Sequence, residues 1–266
     1  MPYAFISTLQ EIPLFRARVW TTVGGQTPRL LFVHGGFHGA WCWSPWLEHF
    51  AAHNIPAAAI DLTGHGGLQQ PADFITLSLV DMARDVSAAA RALGGDMILA
   101  GHSLGALTVM AAAAEVKPVG MILLAPAPPA NVADVRLLPP FPTENPVAPP
   151  PPERARKWFF AGRDEVDAAA YAARLCPESP AFLNDLYSRS ITVDPAWTTG
   201  PSLCVSGGSD DSPLHHAGQD EKIAAFYGAE FITVPDGGHC LMAEHNAAPA
   251  LICDWLRRNG LVSPVS

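Results

Sequence analysis

Basic residues are scarce in this sequence. Lysine and arginine together number 16 against 25 acidic side chains in 266 residues, giving a formal net charge of −9. No basic stripe is present to displace counterions from a phosphate backbone, so nucleic acid is not an expected partner. The acidic residues are scattered rather than blocked, as on a solvated surface. No apolar run approaches the roughly 20 residues that span a bilayer, and no membrane partner is expected. The first residues lack the basic segment, apolar stretch and small-residue cleavage site of a secretory signal, which predicts a cytoplasmic protein. Cysteine is sparse too: Cys42, Cys176, Cys204, Cys240 and Cys253 form no C-x-x-C pair, and an odd number cannot all be bridged internally. That disfavours a disulfide framework or a zinc site, and the histidines lack zinc-ligand spacing. No G-x-G-x-x-G follows the first apolar strand, so Rossmann-type nucleotide binding is not supported. Neither a metal nor a cofactor is expected, and the oligomeric state is left open.

What is present is a hydrophobic share of 49 % in a chain long enough for one large domain. Apolar runs at 29–33, 56–61, 97–101, 119–126, 202–208 and 230–239 read as strands. Between them lie segments of helical spacing. One runs from Trp41 to about His53. Another carries Leu79, Met82, Val86, Ala90 and Leu93, opened by Thr76 and closed by Gly94-Gly95. A third is the Ala-rich stretch after residue 103, and a last helix starts near Ala247. Strands alternating with helices imply a parallel sheet covered on both faces. Residues 126–152 are too proline-rich for helix or central strand. The stretch from 153 to 195 reads as helical again. We expect a core made of 1–126 and 200–266, with 127–199 inserted between two strands as a lid.

The sequence GHSLG at 101–105 is a G-x-S-x-G motif placed between an apolar strand and a helix, the context in which it carries meaning. A tight turn there needs small flanking residues, lifts the Ser103 hydroxyl above the sheet and points the helix N-terminus at the reacting centre. A serine hydroxyl needs a base. His239 follows the last strand, on the same sheet edge as the serine. His65 sits on that edge but precedes the serine, His102 reads as structural, and His215 and His216 read as surface residues at a helix start. The base needs an orienting carboxylate, and Asp210 and Asp211 both lie just beyond the strand at 202–208. Position after the strand leaves both open, and Asp211 lies close enough to Pro213 to cap a helix opened there instead. For the oxyanion, the glycines of HGG at 34–36 leave backbone amides uncovered. The candidate donors are the amides of Gly36 and of Leu104, the residue after the serine.

These segments together resemble the α/β-hydrolase superfamily: HGG at 34–36, DLTGHG at 61–66, GHSLG at 101–105, GGSDD at 207–211 and GGH at 237–239. The stretch HGGFHGAWCW is similar to a segment of the plant esterase and hydroxynitrile lyase branch. The resemblance implies an α/β-hydrolase fold: a mostly parallel eight-stranded sheet flanked by helices, a helical lid inserted after the sixth strand, a pocket between lid and core, and no cofactor. It also implies Ser103 as nucleophile, His239 as base, Asp210 as orienting acid, and Gly36 and Leu104 as oxyanion donors. Hydroxynitrile lyases of that branch carry threonine where Gly35 stands, lysine where Cys240 stands and an acidic residue where His102 stands, which disfavours cyanohydrin chemistry. Ser103 excludes the aspartate-nucleophile route of haloalkane dehalogenases and epoxide hydrolases.

The expected function is hydrolysis of a small-molecule carboxylic ester, or a related acyl bond, through an acyl-enzyme. The alternatives are a carbon–carbon bond hydrolase or lyase of the same fold, and a receptor-like ligand-binding member with little turnover. Phe37, Trp158 and Phe159 are candidate substrate contacts. Phe160, Phe141 and Leu137–Leu138 are further candidates that could equally be lid core.

Overall fold

The computed structural model describes residues 9–22, 29–132, 139–160, 167–212, 215–216, 218–243 and 247–263. Among them, eight strands form one sheet: β1 (Leu9–Pro13), β2 (Arg18–Thr22), β3 (Arg29–Val33), β4 (Ala57–Asp61), β5 (Met97–His102), β6 (Gly120–Leu124), β7 (Ser202–Gly207) and β8 (Glu230–Val234). Their order is β1-β2-β4-β3-β5-β6-β7-β8. The pairs β1–β2 and β2–β4 are antiparallel and the rest are parallel. This is the α/β-hydrolase architecture, with helices on both faces of the sheet.

Side chains alternate across a strand with period two, and the two faces of the sheet follow directly. Leu31, Val33, Ala58, Ile60, Leu99 and Leu123 face one core. There they meet α2 (Leu79–Leu93), α3 (Leu104–Val116) and α7 (Gln219–Tyr227). Leu30, Phe32, Ala57, Ala59, Ile98 and Leu124 face the other, under α1 (Ser44–Ala52) and α8 (Ala248–Arg258). Phe32 stacks on Trp43 at 4.8 Å between centroids and meets the edge of Trp46 at 5.9 Å. Burying each such ring stabilises by about 1.5–3 kcal/mol.

Three further helices, α4 (Pro152–Phe160), α5 (Ala168–Ala172) and α6 (Pro180–Tyr187), fall between β6 and β7. Phe182, Leu183 and Tyr187 of α6 join the first core, while Phe159 and Phe160 of α4 join the second. The inserted segment thus touches both layers of the core.

The start of α2 departs from the sequence reading. Helix α2 opens at Ser78, not Thr76, because Ser78 and Asp81 form a capping box: Asp81 N donates to Ser78 Oγ (3.3 Å) and Ser78 N to Asp81 Oδ2 (2.9 Å). Residues Phe74–Thr76 make a separate short 3₁₀ turn. The antiparallel strands β1 and β2 were also not among the six apolar runs. No helix of the described residues is long and apolar enough to cross a membrane.

Candidate active site

In the parallel part of the sheet, the loops leaving β3, β5, β7 and β8 emerge on one edge. The loop after β5 carries Ser103, which holds φ +52° and ψ −121°, a region that L-residues rarely occupy. Its backbone is fixed to the next loop: Ser103 N donates to Leu124 O (2.9 Å) and Ala127 N donates to Ser103 O (3.0 Å). Helix α3 starts immediately behind it. A Cβ on Gly105 would lie 2.3 Å from His34 O, so only glycine lets α3 pack this close to the loop after β3.

Ser103, His239 and Asp210 form one hydrogen-bonded row. His239 Nε2 lies 3.1 Å from Ser103 Oγ, and His239 Nδ1 lies 2.7 Å from Asp210 Oδ2. With Asp210 ionised, Nδ1–H donates to the carboxylate and Nε2 accepts from the hydroxyl. The loops that carry the acid and the histidine are pressed together. A Cβ on Gly207 would sit 2.3 Å from Gly238 O, and Ser209 N donates to Gly237 O (2.9 Å). Burial pushes the Asp210 carboxyl up, but the imidazole of His239, its hydrogen bond, His215 and the Ser212 amide outweigh that and hold it below its ordinary value. The carboxylate form is therefore the favoured one here.

The neighbouring Asp211 is exposed and takes no place in the row. Nor does it cap the next helix, because α7 begins at Gln219 with Gly218 at its N-cap. Pro213 lies outside the described residues. His102 is buried and donates Nε2–H to His239 O (2.9 Å), so it braces the histidine from behind. Burial and the neighbouring His239 and His38 push its pKa well below the ordinary value.

Gly36 and Leu104 border the same pocket as Ser103. Leu104 N is the first amide of α3 and so has no acceptor within its helix. Gly36 N has no hydrogen-bond acceptor among the described residues. The Gly36 carbonyl is held by His38 Nδ1 (2.7 Å), and His38 Nε2 accepts from Tyr171 Oη (2.9 Å). Burial drives His38 down to about 4, so it stays neutral and keeps this tautomer.

The pocket measures about 70 Å³ and is lined by Phe37, Phe159, Leu183, Leu186 and Tyr187 on its apolar side, with Ser212, His215 and Gln219 at a polar end. Two roomier clefts, of about 270 and 310 Å³, lie over Pro13–Arg18 and between α2 and α3, away from the serine. Phe37 and Phe159 thus line the pocket. Trp158 does not: it sits half-buried beneath the Arg154 guanidinium, 5.2 Å from its ring centroid. Phe160 is fully buried against Tyr171, and Phe141 packs on Tyr187. Leu137 and Leu138 lie outside the described residues.

His215 corrects its reading as a surface residue. Its side chain is only 10 % exposed, with Nε2 3.1 Å from Asp220 Oδ1 and Nδ1 3.7 Å from Asp210 Oδ2. Burial opposes its charge, but Asp220 and Asp210 prevail and its pKa stands above the ordinary value. Burial raises the Asp220 carboxyl as well. Asp210, His215 and His239 bring donor atoms within 4.8 Å of one another, a grouping that could hold a cation, yet these atoms are already turned toward each other and toward Ser103 and Asp220. His65 lies elsewhere, fully buried and 3.0 Å from Glu178. Neither Asp220 nor Glu178 was marked by any local sequence pattern.

The family described as alpha/beta hydrolase family matches residues 30–250. Methylesterase 9 of Arabidopsis thaliana is 38 % identical over 89 residues, 31 % of this chain and 33 % of that protein. A probable esterase of Oryza sativa subsp. indica, PIR7A, is 38 % identical over 81 residues, 30 % of each chain. The matched stretches thus span no more than a third of these relatives. Among solved structures, the N-acyl homoserine lactonase AidH complexed with N-butanoyl homoserine superposes with a TM-score of 0.69 at 19 % identity, covering 94 % of this chain and 95 % of that one.

Proposed function

The chain belongs to the alpha/beta hydrolase family, and from that premise we propose that it hydrolyses a small carboxylic ester through an acyl-enzyme on Ser103. The observation that carries this reading is the row Ser103–His239–Asp210, with contacts of 3.1 and 2.7 Å, beside two amides that have no acceptor among the described residues. The esterase relatives support the same bond class.

Each proton in the reaction has a donor and an acceptor among these residues. Ser103 passes its hydroxyl proton to His239 Nε2 as Oγ attacks the ester carbon. Asp210 stabilises the imidazolium and holds its Nδ1–H in place. The carbonyl oxygen gains negative charge and takes hydrogen bonds from Gly36 N and Leu104 N, which strengthen as the charge develops. His239 then returns the proton to the leaving alcohol. Water, activated by the same histidine, releases the acid and restores the serine.

The segment 127–199 serves as the lid. It supplies Phe159, Leu183, Leu186 and Tyr187 to the pocket wall. At about 70 Å³ the pocket is far smaller than the roughly 300–1,000 Å³ of drug-sized sites, so the group it encloses is short. The test is turnover of chromogenic esters graded in acyl length. Wild type should favour the shortest, and Ser103→Ala should lose at least about 10³-fold in kcat while melting at the wild-type temperature. A Ser103→Ala enzyme with near-normal turnover would overturn the proposal.

A further inference from the structure

We propose that Glu178, a buried carboxylate of the inserted segment, is a positioning residue that holds the Gly36–Phe37 corner in the shape the oxyanion requires. This rests on the oxyanion role proposed for Gly36. Phe37 holds φ +68°, a left-handed conformation that is unfavourable for a bulky aromatic residue. Such a conformation persists only when its surroundings fix it.

Residues 176–178 fix it from both sides. Phe37 N donates to Glu178 Oε2 (2.9 Å), and Cys176 N donates to Phe37 O (2.9 Å). The Phe37 N–H belongs to the peptide that joins it to Gly36. Anchoring that peptide therefore restricts the rotation that would swing the Gly36 amide away from Ser103.

The carboxylate is itself fully engaged. Its oxygens accept from Ser179 N (2.8 Å) and from His65 Nε2 (3.0 Å to each), and the side chains of both His65 and Glu178 are fully buried. His65 Nδ1 faces a second acceptor, Thr63 O, at 2.9 Å. Both ring nitrogens meet acceptors alone, so both carry protons and the ring is an imidazolium paired with the carboxylate. The backbone of Glu178 is held in turn by a two-way pairing with Val147, at 2.8 and 2.9 Å.

Three donors thus converge on two oxygens: the Phe37 amide, the Ser179 amide and the His65 ring. An amide in place of the carboxylate offers one oxygen and a nitrogen that donates, so Glu178→Gln cannot serve all three. Oxyanion donors act chiefly in the transition state, so a displaced Gly36 amide lowers kcat and leaves KM little changed.

The experiment compares wild type and Glu178→Gln by two readouts: kcat and KM on a short chromogenic ester, and amide hydrogen exchange of the peptide covering residues 34–40. The expected result is a loss of about 10²-fold in kcat, the scale for a small misplacement of catalytic groups. KM should stay near wild type, and exchange should speed up in that peptide but not across α2, α3 or α8. Unchanged kcat, or a kcat loss without faster exchange at 34–40, overturns the inference. So does faster exchange throughout the chain, which marks a purely structural role. Should Glu178→Gln fail to fold, Glu178→Asp carries the same readouts, since it keeps the charge beside His65 but is one methylene shorter. If wild type turns over no ester and Ser103→Ala behaves identically, the ester reading fails, and exchange at 34–40 alone decides whether Glu178 holds the corner.

Discussion

Two walls meet at Ser103, and they are held by different means. The base wall, residues 207–212 and 237–239, is built by the sheet: β7 and β8 end side by side, their loops touch at Gly207 and Gly238, and Asp210 and His239 meet across the seam. The opposite wall, residues 34–38, leaves β3 and then takes its support from the inserted segment, through Tyr171, Cys176 and Glu178. One wall is therefore a product of strand order, which the fold secures before any loop is specified. The other depends on a segment between β6 and β7 that packs against the sheet's edge. Loss of a polar side chain from the first wall should act through chemistry with little structural consequence. Damage to the second should couple the inserted segment to the rate.

The largest effect expected within the base wall separates two neighbouring carboxylates. Asp210→Asn should lose about 10³- to 10⁴-fold in kcat, because the imidazole loses its orienting charge and settles in the wrong tautomer. Asp211→Asn, at an exposed position with no part in the row, should turn over like wild type. Turnover of both variants beside their melting temperatures makes the comparison, and an inactive Asp211→Asn with an active Asp210→Asn would move the acid by one residue.

A smaller effect tests whether the seam between β7 and β8 is as tight as the backbone contact implies. Gly207→Ala places a methyl 2.3 Å from Gly238 O. The expected cost is about 1–3 kcal/mol of stability, the scale for overpacking, together with reduced kcat as the two loops separate. Full stability and activity in this variant would show that the seam yields freely.

The smallest effect concerns the buried pair under the opposite wall. Burial disfavours a charged His65, but the Glu178 carboxylate, the Thr63 carbonyl and Asp61 outweigh it, and its pKa stands above the ordinary value. Asp85 and His34 face the same ring. A raised pKa in the folded state means that the stabilisation is fully present below about 6.5, the ordinary histidine value, and is lost as pH rises through the folded value. The wild-type melting temperature should therefore decline as pH is raised above neutrality, and His65→Gln should show a flatter profile in that window. Parallel profiles for the two proteins would contradict a charged His65.

The same division explains what was legible in the sequence. Most of the sheet was, since β3, β5, β6 and β7 are short apolar runs buried on both faces. The Ala-rich β4 is a strand by position, paired between β2 and β3, more than by propensity. The hairpin β1–β2 escaped because β1, with Gln10, Glu11 and Pro13, lies at the sheet edge with its polar residues outward and shows no apolar run. Ser103, Asp210 and His239 each follow a strand by a few residues, so a motif and its order along the chain were enough to put them on one edge. Glu178 stands 141 residues from the amide it accepts, and no periodicity or spacing links the two. His215 was misread for the same reason: the carboxylates that enclose it come from the β7 loop and the first turn of α7, and their convergence exists only in the fold. Trp158 failed as a pocket residue because helical position alone does not reveal which of two adjacent aromatics turns inward, and Phe159 is the one that does.

All of these comparisons presuppose a nucleophile at the junction of the two walls. The direct test is to treat the protein with a fluorophosphonate, digest it and map the modified peptide. The account predicts one adduct, on Ser103, that disappears in Ser103→Ala and forms far more slowly in His239→Ala. An adduct on another residue, or none on a folded protein, would contradict it.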